Sequence, residues 1–408
     1  MKNSGIEWIG QIPDSWQYFR LKDYYVFEKG KNAALYTQEY IGTHNGEFPV
    51  YSGQTENDGI MGTISSFDYD EKECLFTTTV GAKVMTPKVL SGKFSLSQNC
   101  LIMKQVKPCC NKYIFYQLLP LFDYTKSMIP SYMQPSLRVA DLNTYGFFVP
   151  NKAIQEQIAD CLDCKCAKID KLIEVQQAQI EKLKEYKQSV ITEAVTKGLD
   201  PTAPMKDSGV EWIGKIPEDW KLIKIGSLFA CRNEKVSDSE FSPLSVSRGG
   251  IVPQMENVAK SDAGDNRKLV LKNDFVINSR SDRKQSCGVS PLDGSVSLIN
   301  TVLYSIAANV IIPEYVNIVM KNYGFAEEFY RWGHGIVADL WTTRWQEMKS
   351  IVLPIPSIEI QKQIVKTLSK RIDTINTLIA LKQSKIEKLQ EYKKSLIYEY
   401  VTGKKEVI

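Results

Sequence analysis

The sequence predicts an α+β chain in which two unlike globular α+β domains are separated by two long antiparallel coiled-coil helices, with pseudo-two-fold symmetry and a circular order of repeats. Three observations carry this. SGIEWIGQIPDSW at 4–16 returns as SGVEWIGKIPEDW at 208–220, with nine of thirteen residues identical. Residues 154–196 align without gaps to 360–402, an offset of 206, with 21 of 43 positions identical. Between these repeats lie two blocks, 17–150 and 221–356, whose sequences barely agree. Repeats of this kind fix architecture before any local reading does.

Residues 1–16 and 204–220 read as two copies of a joint. Trp8, Ile9, Ile12 and Trp16, like Trp212, Ile213, Ile216 and Trp220, form an apolar set around a Gly-containing turn and a proline. Such a set packs and carries no reactive group. Residues 17–150 mix strand-like runs (FPVYSG, ECLFTTTV) with a helical stretch (NKYIFYQLLPLF). Residues 221–356 do the same with DFVINSR, SVSLINTVLYSI and PEYVNIVMKNYGFAEEFYRW. Each block is of ordinary domain size and reads as α+β. Residues 151–203 and 357–408 hold the long helices. Leu162, Cys166, Ile169, Ile173, Gln176, Ile180, Leu183, Lys187, Val190 and Ala194 alternate steps of four and three, and Leu368 to Tyr400 repeats the register. That is a heptad seam. Neither helix contains Pro or Gly, whereas Pro150 and Pro356 precede them and Gly198 and Gly403 follow. A helix of about 43 residues is about 65 Å long, too long to bury its stripe in a small globule. The simplest partner is its own copy, antiparallel about a pseudo-dyad. The alternative is that each helix packs on its own domain. Joining the C-terminal TGKKEVI to the N-terminal MKNSGIEWIG recreates the central connection, so the order of pieces is circular.

Composition narrows the class. No run of 18 apolar residues exists and the first residues lack an apolar signal core, so neither membrane nor export is expected. Nine cysteines without a regular framework fit reduced thiols in a cytoplasm. Residues 17–150 and 221–356 are not charge-rich in one sign: 1–150 carries 14 basic and 14 acidic residues, and 204–356 carries 18 and 18. Charge is clustered locally. Lys83, Lys88, Lys93, Lys104, Lys107 and Lys112 lie in an acid-free stretch between Cys74 and Phe122, and Arg267, Lys268, Lys272, Arg280, Arg283 and Lys284 cluster in the second block.

The doubled SG-[IV]-EWIG-x-IP-x-x-W, the Q-x-Q-I helix starts at 155–158 and 361–364, the doubled IEKL-x-EYK at 180–187 and 386–393, and the circular order together resemble the DNA specificity subunit of type I restriction-modification systems. FVINSRSDRKQSCGVSPLDGSVS at 275–297 looks like a segment common in that family's recognition domains. The resemblance covers essentially the whole chain. It implies that 17–150 and 221–356 are target recognition domains 1 and 2, each reading half of a bipartite double-stranded DNA target, with the helix pair setting the unread spacer. It implies two modification (methyltransferase) subunits as partners, which hold the S-adenosylmethionine, and restriction (translocase/nuclease) subunits that join them. This chain is then non-catalytic and binds no cofactor of its own.

The residues agree. No G-x-x-x-x-G-K-[ST] and no [ND]-P-P-[FY] occurs, and His44 and His334 lack an obvious nucleophile partner. Pro13-Asp14 with Asp70-x-Lys72 loosely matches a nuclease pattern, but the second joint has Pro217-Glu218 and both lie in the frame. Cys161, Cys164 and Cys166 give C-x-x-C-x-C. Their counterparts Thr367, Lys370 and Ile372 make packing the better account. Base reading needs Arg, Lys, Asn and Gln at groove edges. In the first block the candidates are Lys83, Lys88, Lys93, Gln98, Asn99, Tyr132, Gln134 and Arg138; in the second, Arg248, Arg280, Arg283, Lys284, Gln285 and Arg344. The competing reading is a protein-binding coiled-coil scaffold, which the neutral blocks keep open; a fused enzyme is disfavoured by the missing motifs.

Overall fold

The repeated joint folds the same way twice, down to its hydrogen bonds. The computed structural model describes residues 1–53, 57–81, 83–254, 265–280, 283–335 and 341–407. In the first joint, Lys2–Asn3 pairs antiparallel with Gln11–Ile12, the Ile6 amide donates to Ser4 Oγ (3.1 Å) and the Gly10 amide donates to the Ile6 carbonyl (3.0 Å). In the second, Met205–Asp207 pairs with Lys215–Pro217, the Val210 amide donates to Ser208 Oγ (3.1 Å) and the Gly214 amide to the Val210 carbonyl (2.8 Å). Gly10 and Gly214 have φ of +70° and +67°, which a side chain would resist. Ile12 and Ile216 are fully buried.

The chain divides into two compact units, Met1–Gln176 with Ser384–Ile408, and Gln177–Gln383. Each contains one joint, one head and half of each long helix. In the first head, a mixed sheet runs in the order Tyr25–Lys29, Cys100–Gln105, Tyr69–Thr78, Pro87–Leu96, Asn45–Tyr51, Ile60–Ile64. In the second, the order is Phe229–Cys231, Asn300–Ser305, Phe275–Asn278, Cys287–Val289. The first four strands of the one match the four of the other, in position and in antiparallel pairing. Two heads with barely related sequences thus share a central sheet. They differ at its edge: the second head adds the hairpin Leu244–Ser247/Gly250–Pro253 and the sheet Lys235–Val236, Arg267–Val270, Gly294–Val296. The helical stretch of the first head is one helix, Asn111–Ser127. That of the second breaks into Pro313–Val319 and Tyr323–Arg331, because the Asn322 side chain accepts from the Gly324 amide and caps a new start. Each head is clasped to its frame by one strand pair, Gln17–Arg20 with Gly146–Val149 and Lys221–Lys224 with Val352–Ile355.

The long helices are continuous, Lys152–Thr196 and Ile358–Val401. They run antiparallel within each unit. Lys393 Nζ pairs with Asp170 (2.6 Å) in the first, and Lys187 Nζ bonds Asn376 Oδ1 (2.8 Å) in the second. These are the same bond at the 206 offset, with Asp170 replaced by Asn376. The seam positions are buried or half-buried throughout, Cys166 among them. In the first unit Leu162, Cys166 and Ile169 join Leu396, Ile397 and Tyr400 in one core; in the second Val190, Ala194 and Val195 join Ile364 and Leu368.

A buried glutamine fastens each helix to its head. Gln155 Oε1 accepts from the Cys110 amide (3.0 Å), and its Nε2 donates to the Pro150 carbonyl (2.9 Å). Gln361, fully buried, repeats this with the Ile312 amide (3.0 Å) and the Pro356 carbonyl (2.9 Å), and also donates to the Val310 carbonyl (2.7 Å). Cys110 and Ile312 each precede the first residue of a head helix, where a backbone amide has no partner within the helix. This is the work of the first Gln in each Q-x-Q-I.

The long helices end on Gly198 and Gly403, with φ of +78° and +71°. A Cβ at Gly198 would meet Trp220 at 3.3 Å, while one at Gly403 would drive into the Pro13 ring and meet Trp16 at 2.9 Å. Left-handed backbone costs alanine about 1–2 kcal/mol at either place, and overpacking a rigid ring adds about 1–3 kcal/mol at the second. Gly403→Ala is therefore expected to lower the urea midpoint more than Gly198→Ala; equal shifts would contradict this packing.

Candidate nucleic-acid interface

At one end of each sheet, three segments of the head are tied together by backbone bonds. In the first head the Thr79 amide donates to the Asn99 carbonyl (2.8 Å), the Leu137 amide donates to the Thr79 carbonyl (2.8 Å), and Val80 bridges Ser136. This gathers Gln98 and Asn99, the loop bearing Lys83, and the segment of Tyr132, Gln134 and Arg138. Asn99 holds the strand-to-strand turn at φ +65°, which asparagine tolerates better than most residues. Gln98, Asn99, Lys83, Gln134 and Arg138 are exposed, and Tyr132 is 86% exposed. Lys83 and Lys88 line a cleft of about 200 Å³ with Ser52, Asp58, Thr78 and Thr86, and Lys88 Nζ is paired with the Asp58 carboxylate. Lys93 is engaged elsewhere, its Nζ 4.7 Å from the Phe67 ring centre and 5.7 Å from that of Phe48. The acid-free lysine run is partly neutralised in three dimensions: Lys104 pairs with Glu28 and Glu71, and Lys112 with Asp163.

The second head builds the same junction. The Thr343 amide donates to the Ser279 carbonyl (3.1 Å) and Arg280 bridges Thr342. Arg248, at the tip of the added hairpin, donates through Nε to the Lys284 carbonyl (3.2 Å). Arg280 and Arg283 line an open cavity of about 370 Å³ with Val246, Asn278 and Ile299. Tyr330 Oη donates to the Arg280 carbonyl (3.0 Å), and Lys284 pairs with Glu327 (3.0 Å) beside the Tyr330 ring. Gln285 turns the loop at φ +62°, as Met85 does at +55° in the first head. Arg344 and Arg138 start equivalent short helices, their amides donating to Glu347 (3.1 Å) and Asp141 (2.7 Å), with both side chains exposed. All six candidates of this head thus lie on segments joined at one place. Of its sequence cluster, Arg267 and Lys268 are engaged elsewhere: Arg267, 8% exposed, donates to Ser295 Oγ, and Lys268 Nζ donates to the Asn300 carbonyl. Burial pulls both below their usual pKa range. The segment 275–297 includes residues 281 and 282, which lie outside the described residues.

Other chemistry is sparse. Among the described residues no group of three His, Cys, Asp or Glu side chains is placed to hold a metal ion. Burial raises the Cys74, Cys100 and Cys287 thiols to about 12, so they stay protonated at neutral pH. His44 stacks on Tyr40, and Asp14 receives the N-terminal ammonium of Met1 (2.9 Å) within the joint. Among the described residues no helix is long and apolar enough to cross a membrane.

The family model of the type I restriction modification DNA specificity domain matches residues 13–185, which cover the first head and most of the first long helix. The chain is similar to the specificity proteins of type I restriction-modification systems. The type I restriction enzyme MjaVIII specificity subunit of Methanocaldococcus jannaschii is 23% identical over 420 residues, covering 97% of this chain and 94% of that protein. The type I restriction enzyme MpnII specificity subunit of Mycoplasma pneumoniae is 32% identical over 167 residues, 40% of this chain. The chain spans 66%, 63%, 48% and 52% of the first four Mycoplasma pneumoniae relatives it matches. A chain from a solved structure concerning complex assembly and conformational transition of the type I R-M system superposes with a TM-score of 0.66 at 10% identity, covering 96% of this chain and 98% of that one, which shows a shared fold.

The sequence missed part of the junction. Asn278, Leu298 and Ile299 belong to it, yet the gapless offset of 206 that aligns the frame does not align them. Thr79 and Ser279 are equivalent at an offset of 200, and the missing six residues enter the second head before Thr343. Only the shared strand order exposes that register.

Proposed function

We propose that this chain is the sequence-reading subunit of a type I restriction-modification assembly, each head reading one half of a bipartite DNA target. The observation that carries it is the junction just described: one scaffold, built twice, presenting different polar side chains from the same three segments. The exposed Gln98, Asn99, Gln134 and Arg138 on one head, and the arginines Arg248, Arg280, Arg283 and Arg344 on the other, have the chemistry that reads base edges and grips phosphates. The long helices set the unread spacer between half-sites. Methylation belongs to modification subunits carrying S-adenosylmethionine, which flip the target base, and cleavage to restriction subunits; the chain works in the cytoplasm.

Two copies of the modification subunit fit the frame. Leu172, Val175 and Tyr392 are exposed on the long helices, as are their repeat equivalents Leu378, Leu381 and Tyr186. Tyr186 and Leu378 line one groove with Lys366, Lys370 and Arg371. Exposed apolar side chains that recur at the repeat spacing mark two like contact surfaces.

Mapping methylated adenines in DNA from cells expressing the chain with its partners tests the reading. A bipartite motif is expected. One heptad added to each long helix lengthens it by about 10 Å, so the spacer should grow by roughly three base pairs at 3.4 Å each; an unchanged spacer overturns the ruler. The neutral heads favour one rival, a protein-binding scaffold. Contact with six or more phosphates lowers DNA affinity about 10³-fold between 50 and 200 mM salt, whereas a scaffold shows no such fall.

A further inference from the structure

The strand-to-strand turn at the junction carries opposite chemistry in the two heads. In the first it follows the last pair of the central strands, Thr78 with Cys100, and presents Gln98 and Asn99. In the second it follows the equivalent pair, Asn278 with Asn300, and presents Leu298 and Ile299. Leu298 and Ile299 are 42% and 41% exposed, and Ile299 lines the cavity shared with Arg280 and Arg283. The two fifths or so of these branched apolar side chains left in water gain nothing in the free protein. Against a DNA major groove they match one surface, the 5-methyl group of thymine, and the neighbouring arginines match the O6 and N7 acceptors of guanine. The amides of Gln98 and Asn99 instead match the N6 and N7 of adenine.

From this juxtaposition we propose that the 298–299 turn is a specificity determinant, so that the second head reads guanine next to a thymine whose methyl group rests on Leu298 and Ile299, while the first head reads adenine through Gln98 and Asn99. This rests on the DNA-reading function above and adds the chemical class of each half-site.

The test uses the chain assembled with its modification subunits and duplexes carrying the mapped target. Thymines of each half-site are replaced by deoxyuridine, which lacks only the methyl group, and guanines by 7-deazaguanine. Deoxyuridine at one position of the second head's half-site should weaken binding about fourfold, the value of one buried carbon, and 7-deazaguanine beside it about tenfold. L298Q/I299N should bind thymine and deoxyuridine duplexes alike. L298A, a smaller change, should lose part of the difference, and thermal melting of both variants checks that they fold. Insensitivity of every thymine in that half-site, or a methyl effect that persists in folded L298Q/I299N, overturns the proposal while leaving the DNA-reading function intact. Absence of any bipartite target overturns both.

Discussion

Replacing Arg280 and Arg283 together with alanine should lower affinity for the specific duplex about 30-fold or more. Both side chains line the same cavity at the junction of the second head. A bidentate arginine–guanine contact is worth about 1–3 kcal/mol, so losing two costs about 2–6 kcal/mol. Lys93→Ala is the matched control. Its ammonium already lies over Phe67 and Phe48, and its loss should change affinity less than about fivefold, the range of an exposed charge. Titration of duplex DNA with the assembled complex measures both. Comparable losses for the two variants would remove the second head's junction from the interface. Non-specific duplex should lose little with R280A/R283A, because base-edge contacts carry discrimination whereas phosphate contacts carry general affinity.

Gln361→Leu should be the most damaging single change in the frame. The side chain is fully buried and meets three backbone groups, the Ile312 amide and the Val310 and Pro356 carbonyls. Leucine has a similar size but meets none of them. Each stranded buried group costs about 1–3 kcal/mol, so a loss of about 3–9 kcal/mol is expected, a large part of the usual 5–15 kcal/mol. Gln155→Leu strands two groups rather than three, and should cost about 2–6 kcal/mol. Urea denaturation ranks them, and amide exchange at Ile312 reports the lost bond directly. A variant as stable as the parent would show that these glutamines do not fasten helix to head.

The lysine run between Cys74 and Phe122 shows where linear reading fails. Lys104 and Lys112 meet Glu28, Glu71 and Asp163, residues outside the run, because neighbouring strands and a long helix bring distant carboxylates alongside. The expected helix at 313–332 is two helices for a local reason, the Asn322 cap, which the single residue signalled but the apolar spacing obscured. The Q-x-Q-I starts were visible as a motif, yet their partners are backbone groups, which no side-chain pattern reveals.

By itself the sequence determined the frame: two joints, two long heptad helices and their circular order, because repetition and period are properties of the string. Tertiary structure alone decided that the unlike heads share a sheet order, that residues 98–99 and 298–299 occupy one position, and which cations reach the junction. Strand pairing sets those neighbours, and pairing depends on backbone hydrogen bonds between segments far apart in the chain, to which residue identity contributes only weakly.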